Sequence, residues 1–163
     1  MLGTEDVLDV GGDAADIALA EAVLGRERRQ HPERAETASL ERGSRAWQRL
    51  VSACERARIA LSTSPVAVLS VDEVWPGVDL ECEVSGPFLG RAIGPAVAPI
   101  VDCIVKAVKA SAETKGVLLH GGLCSTPRVQ SMITAAVGPV PIVFSNVAGS
   151  TLGAAKVFSS APW

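Results

Sequence analysis

The sequence has no excess of basic side chains: 15 lysines and arginines stand against 18 aspartates and glutamates, a formal charge of -3. That excludes the basic footprint of a nucleic-acid binder. There is no Cys-x-x-Cys spacing among Cys54, Cys82, Cys103 and Cys124, and only His31 and His120 are available as nitrogen ligands. A zinc site therefore has no spacing support, and buried, reduced thiols are expected. No stretch reaches the roughly 18 uninterrupted apolar residues of a membrane helix. Met1 to Val10 carries Glu5, Asp6 and Asp9 instead of the basic start of a signal peptide. These absences predict a cytoplasmic chain with no membrane contact and no nucleic-acid partner.

Catalytic fingerprints are also lacking. There is no Gly-x-x-x-x-Gly-Lys-Ser/Thr phosphate loop, no Gly-x-Gly-x-x-Gly turn and no Gly-x-Ser-x-Gly elbow. Carboxylates run out as well: none follows Glu113, and residues 117 to 163 hold only Arg128 and Lys156 as basic residues. A tail so poor in charge is either a buried sheet-and-helix layer or a surface made to be covered.

What is present, 163 residues of which 48% are apolar, suffices for one globular domain or a compact pair of subdomains. Gly11-Gly12 followed by Ile17, Leu19, Ala20, Val23 and Leu24 predicts a helix that stops near Gly25. A charged connection follows, from Arg26 to Ser44. From Arg45, the spacing of Trp47, Leu50, Val51, Cys54, Ala57 and Leu61 predicts an amphipathic helix, with Arg45, Gln48, Arg49 and Arg56 off its apolar face.

Pro65 ends that helix. Val66 to Val71 reads as a strand, Trp75-Pro76-Gly77 as a turn, and Val78 to Val84, alternating apolar and acidic, as the second strand of a half-solvated antiparallel hairpin. A short helix over Phe88 to Ile93 and a longer one from Pro95 to Lys109 come next. Val117-Leu118-Leu119 reads as a buried parallel strand, Gly121-Gly122 as a turn, and Ser125-Thr126-Pro127 as a hydroxyl-capped helix start running to about Ala136. Pro141 to Phe144 reads as another buried strand and Gly149 to Phe158 as a last helix. The first part is α+β and the second α/β.

Two groups of residues are candidates for chemistry. Glu55, Arg58, Ile59 and Ser62 fall on one helical ridge, where a carboxylate suits the two hydroxyls of a ribose and a guanidinium can lie flat on a purine. An ordinary ion pair on a solvated helix fits the same spacing. The second group is Gly121 and Gly122, between a strand and a helix start, where a nucleotide can approach the backbone and meet free N-H groups. A plain turn needing positive φ fits this equally. A third, separate possibility is an enzyme centred on His120 or on Cys124, whose thiol pKa the helix start would lower.

The run Ala53-Cys54-Glu55-Arg56-Ala57-Arg58-Ile59-Ala60-Leu61-Ser62 resembles the seventy-kilodalton heat-shock chaperones of the DnaK kind, which carry Ala-Cys-Glu-Arg-Ala-Lys followed by Leu-Ser. Gly11-Gly12-Asp13-Ala14-Ala15-Asp16 is similar to that family's Gly-Gly-Glu-Asp-Phe-Asp. Leu118 to Gly122 resembles its Leu-Val-Gly-Gly turn, Pro127-Arg128-Val129-Gln130 its Pro-x-Val-Gln, and Gly153-Ala154-Ala155 its Gly-Ala-Ala. The resemblance implies the second lobe of an actin-like ATPase domain. Its outer, mobile subdomain would span residues 12–115, helices plus a small antiparallel sheet, joined to part of an inner α/β subdomain at 116–163.

By the same resemblance the chain would be the adenosine side of an ATP/ADP cleft. Glu55 would contact the ribose, Arg58 would stand near ribose and base, Ile59 would line the base and Ser62 would reach the adenine edge. Gly121, Gly122 and Ser125 would pass beneath the nucleotide. The family's first lobe would supply magnesium and catalysis, so this segment would be inactive alone and would hold no metal or catalytic residue. The first lobe, a substrate-binding domain and a nucleotide-exchange factor are the implied partners. Two departures, Leu123-Cys124-Ser125 in place of Ser-Thr-Arg and Ser145-Asn146-Val147-Ala148-Gly149 in place of Asn-Pro-Asp-Glu-Ala, weaken the cleft and leave open a pseudo-ATPase scaffold that no longer binds nucleotide.

Overall fold

A computed structural model describes residues 10–32, 40–110 and 114–145. The element order is α1 (Gly12–Gln30), α2 (Arg45–Ala60), β1 (Val66–Trp75), β2 (Val78–Ser85), α3 (Gly86–Ala110), β3 (Val117–His120), a 3-10 turn (Gly122–Ser125), α4 (Pro127–Val137) and β4 (Ile142–Ser145). The fold is mixed α/β, as expected. The predicted last helix over Gly149 to Phe158 lies outside the described residues.

In residues 6–99, α2 packs on β1 of an antiparallel hairpin and α1 packs on α2. β1 and β2 pair so that Ala67 faces Val84, Leu69 faces Cys82 and Val71 faces Leu80. Because side chains alternate across a strand, these residues share one face, and Leu69, Leu80 and Val84 are fully buried there with Leu19, Val23 and Leu50 of the helices. The other face shows Val66, Val68, Glu81 and Glu83 to solvent. α2 starts where Ser44 caps it, its Oγ accepting from the Trp47 N-H at 3.1 Å, a bond worth about 1 kcal/mol. The hairpin closes at Pro76-Gly77, where Gly77 has φ +70 and so needs no strain.

Three expectations are corrected here. α1 does not stop near Gly25 but continues to Gln30. A helical glycine costs only about 1 kcal/mol, and the added turn buries Glu27 and lets Arg26 donate to the Glu83 carbonyl at 2.9 Å. The two helices expected over residues 88–109 are one helix, α3, with Pro95 and Pro99 inside it. Both prolines are exposed while Leu89, Ile93 and Val97 are buried at intervals of four, so the lost N-H bonds lie on the solvent side and packing offsets them. By length and composition α3 is also apolar enough to cross a membrane, despite Arg91, Asp102 and Lys106. Those three charged residues interrupt its apolar run.

The compact units divide at Pro99/Ile100, inside α3. From Ile100 on, β3 and β4 form a parallel two-stranded sheet, with Leu118 beside Val143 and Leu119 beside Phe144. The parallel arrangement agrees with the expectation. Full burial does not, since Leu118 is 65% and Val143 59% exposed. α4 begins at Pro127 after Thr126, but the Thr126 hydroxyl makes no cap bond. It is buried without a hydrogen-bond partner among the described residues.

Candidate functional site

The α2 ridge separates into an outward and an inward part. Glu55 is exposed and Ile59 is 53% exposed, standing one turn apart. Ser62, just past the helix end, donates its backbone N-H to the Ile59 carbonyl at 3.0 Å. Its Oγ is buried with no hydrogen-bond partner among the described residues, although a buried hydroxyl without a partner is costly.

Arg58 turns the other way. Its Nε and terminal nitrogen donate to the two Asp16 carboxylate oxygens at 2.6 and 2.9 Å, and both side chains are at most 5% exposed. The fork geometry is the strongest a guanidinium offers, and the hydrogen bond to Asp16, first among several causes, holds the Arg58 pKa above its usual value against the opposing effect of burial. A Cβ on Gly12 would stand 3.5 Å from the same guanidinium, so the first turn of α1 runs alongside it. The structure thus leaves Glu55 and Ile59 exposed on α2, buries the Ser62 Oγ and commits Arg58 to the helix interface.

Asp16 was not among the predicted site residues. The signal was present: Asp16 stands at the spacing of Leu19, Ala20 and Val23, on the buried stripe of α1, and Arg58 lies four residues from Cys54 and three from Leu61 on the edge of the α2 stripe. Two opposite charges on two apolar stripes predict a buried pair.

Gly121, Gly122 and Ser125 belong to the unit that begins at Ile100. Gly121 has φ +131 and a Cβ on Gly122 would meet nothing within 4 Å, so this turn leaves open space above its backbone. Ser125 Oγ donates to the Gly122 carbonyl at 2.7 Å, which folds its hydroxyl back onto the turn. A cavity of about 340 Å³ is lined by Cys124, Ser125, Gln130, Phe144 and Ser145, at the C-terminal ends of the parallel strands, where α/β sheets place ligands. Cys124 is half-buried, and burial raises its thiol pKa rather than the helix start lowering it. Cys54 alone of the four cysteines is buried; the others are half-buried. No group of three or more His, Cys, Asp or Glu side chains among the described residues is placed to hold a metal ion.

The sequence model of the Hsp70 protein family matches residues 1–146. The chain belongs to the Hsp70 family. Similar proteins include the heat shock cognate 70 kDa protein 3 of Dictyostelium discoideum, 28% identical over 82% of this chain and 21% of its own length. A heat shock 70 kDa protein of Neurospora crassa is 24% identical, and heat shock 70 kDa protein 2 of Paracoccidioides lutzii 22%, each over 77% of this chain and 19% of its own length. The chain therefore spans about a fifth of these relatives. The Asp16–Arg58 pair ties the double-glycine segment at the start of α1 to the Glu55-bearing helix α2.

Proposed function

We propose that the chain is the adenosine side of an Hsp70-type nucleotide cleft, one lobe of a chaperone ATPase that acts only with a first lobe and a substrate-binding domain. The observation that carries this reading is the exposed Glu55 carboxylate one helical turn from the exposed Ile59 side chain on α2, in the stretch of the chain that the Hsp70 family model matches. Glu55 accepts from the ribose hydroxyls, and Ile59 covers one face of the base. ATP supplies the phosphoryl group whose hydrolysis drives the chaperone cycle. The magnesium ion and the phosphate-positioning groups belong, in this reading, to the other lobe, because phosphoryl transfer depends on metal and cations at the phosphates. A nucleotide-exchange factor is the further partner this assignment implies, and the cytoplasm its compartment.

The test is calorimetric titration of ADP into the full-length protein that carries this chain. Glu55→Ala weakens binding on the order of tenfold, the value of a charge-assisted hydrogen bond. Identical heats for wild type and Glu55→Ala would sink the assignment. A second reading, a scaffold that has lost nucleotide, draws on the commitment of Arg58 to Asp16 and on Leu123 in the glycine turn. It wins if neither protein gives heat.

A further inference from the structure

Away from the α2 ridge, residues 6–99 hold a cavity of about 610 Å³ between the last turns of α1 and strand β2. The charges around it do not balance: Glu27, Asp79, Glu81 and Glu83 line it against Arg26 and His31. Asp79, Glu81 and Glu83 are exposed, on the side of β2 opposite the buried Leu80 and Val84. Glu27 is different, for it is only 6% exposed and its carboxylate makes no hydrogen bond or ion pair with any described residue. Arg26 is committed elsewhere. Its Nη1 donates to the Glu83 carbonyl at 2.9 Å, its guanidinium lies 4.6 Å from the centroid of the Phe88 ring, and its Nη2 is buried off the cavity surface. We propose that this cavity is a binding site for an organic ammonium cation, with Glu27 as the deep acceptor and Asp79, Glu81 and Glu83 as an anionic rim.

A glutamate is almost never this buried unless something cationic meets it, because taking a carboxylate out of water without a partner is costly. A metal ion does not fit, since it needs several ligands converging on one point, and no three His, Cys, Asp or Glu side chains among the described residues converge so. An ammonium does fit. It carries three donors on one small head, so a single deep carboxylate and solvent at the mouth satisfy it. The rim adds a length requirement: alternate residues of a strand stand about 7 Å apart, so Asp79, Glu81 and Glu83 suit a flexible chain with amino groups repeated at several ångströms. A free polyamine and the lysines of an extended peptide both carry that chemistry. None of these residues is on the α2 ridge, so the site stands independently of the nucleotide reading.

Spermidine is titrated calorimetrically, at low ionic strength, into the full-length protein that carries this chain and into its Glu27→Gln, Glu81→Lys and Asp102→Asn variants. Wild type gives saturable heat. Glu27→Gln keeps the shape of the side chain and weakens binding on the order of tenfold or more, the loss of a charge-assisted hydrogen bond. Without ligand the same variant melts at a higher temperature than wild type, because an unpaired buried charge is gone. Glu81→Lys, at an exposed position where folding is not at stake, weakens binding about fivefold, and added salt shrinks that difference. Asp102→Asn, exposed on α3 outside the cavity, leaves it unchanged. A second arm titrates a peptide with lysine at alternate positions. Tighter binding of the peptide than of spermidine supports the site and names an extended lysine-rich segment as the source; the reverse order supports it and names a free polyamine. Three results overturn the inference: no saturable heat from either probe, a Glu27→Gln variant that binds like wild type, or an Asp102→Asn variant weakened as much as Glu27→Gln, which would make the attraction one of net charge alone.

Discussion

Residues 6–99 and residues 100–145 are assembled from the same parts, helices laid on two strands, and differ in how much they bury. In the first, the antiparallel hairpin hides Leu69, Leu80 and Val84 under α1 and α2 and gives its acidic residues to solvent. In the second, the parallel pair β3–β4 leaves Leu118 and Val143 exposed, and Val129 and Ile133 of α4 are the fully buried apolar side chains. An antiparallel sheet can be complete with one face covered; parallel sheets occur almost only with both faces covered. The alternation of Val78 to Val84 and the unbroken apolar character of Val117-Leu118-Leu119 state this difference in the sequence itself. Stability is therefore expected to reside in residues 6–99.

The largest effect should come from the buried ion pair. Arg58→Met strips Asp16 of its counter-ion and is expected to cost about 3–5 kcal/mol, whereas Arg58→Met combined with Asp16→Leu should recover most of that loss. Urea denaturation measures the totals, and amide hydrogen exchange localises them. Protection should fall in α1 and α2 and persist in α4. Equal loss in α4 would break the comparison, because the two regions would then unfold as one.

How much of this was legible beforehand depends on what each residue's signal was made of. Period and punctuation located α2, the hairpin, the parallel strands and the start of α4, since side-chain alternation and proline geometry act locally. α3 was misread as two helices because Pro95 and Pro99 are local breakers whose cost is offset by burial of Ile93 and Val97, a tertiary fact. At the ridge, spacing put Glu55 and Ile59 one turn apart off the apolar stripe, and both are exposed there. It could not orient Arg58, which lies on the border between the apolar stripe and the exposed ridge and was decided by Asp16, 42 residues away.

A paired truncation sharpens the same contrast at somewhat lower cost. Leu50 is fully buried and Leu118 is 65% exposed. Leu50→Ala should lose about 2–5 kcal/mol through transfer and cavity terms, and Leu118→Ala should stay within about 0.5 kcal/mol. Both are read from thermal and urea unfolding of otherwise identical proteins. A loss at Leu118 comparable to that at Leu50 would mean that the exposed face of β3 is covered in solution.

The smallest effect separates the two regions by pH. Burial first, then the Asp16 carboxylate and Cys82, push the Cys54 thiol from 9.0 to about 12, whereas burial alone raises Cys124. A folded-state pKa above the unfolded value means that the unfolded chain releases its proton first as pH rises. The contribution of Cys54 is thus fully present below about pH 9 and is lost between about 9 and about 12, at no more than about 1.4 kcal/mol per pH unit. Cys54→Ala lowers stability at every pH by deleting a buried atom, but it should also flatten the decline of the urea midpoint between pH 9 and 10.5. Cys124→Ala, at a half-buried position, should flatten it less. The slope, not the midpoint, is the discriminating quantity, because packing loss does not titrate; equal slopes in the two variants would erase the difference in burial between the regions.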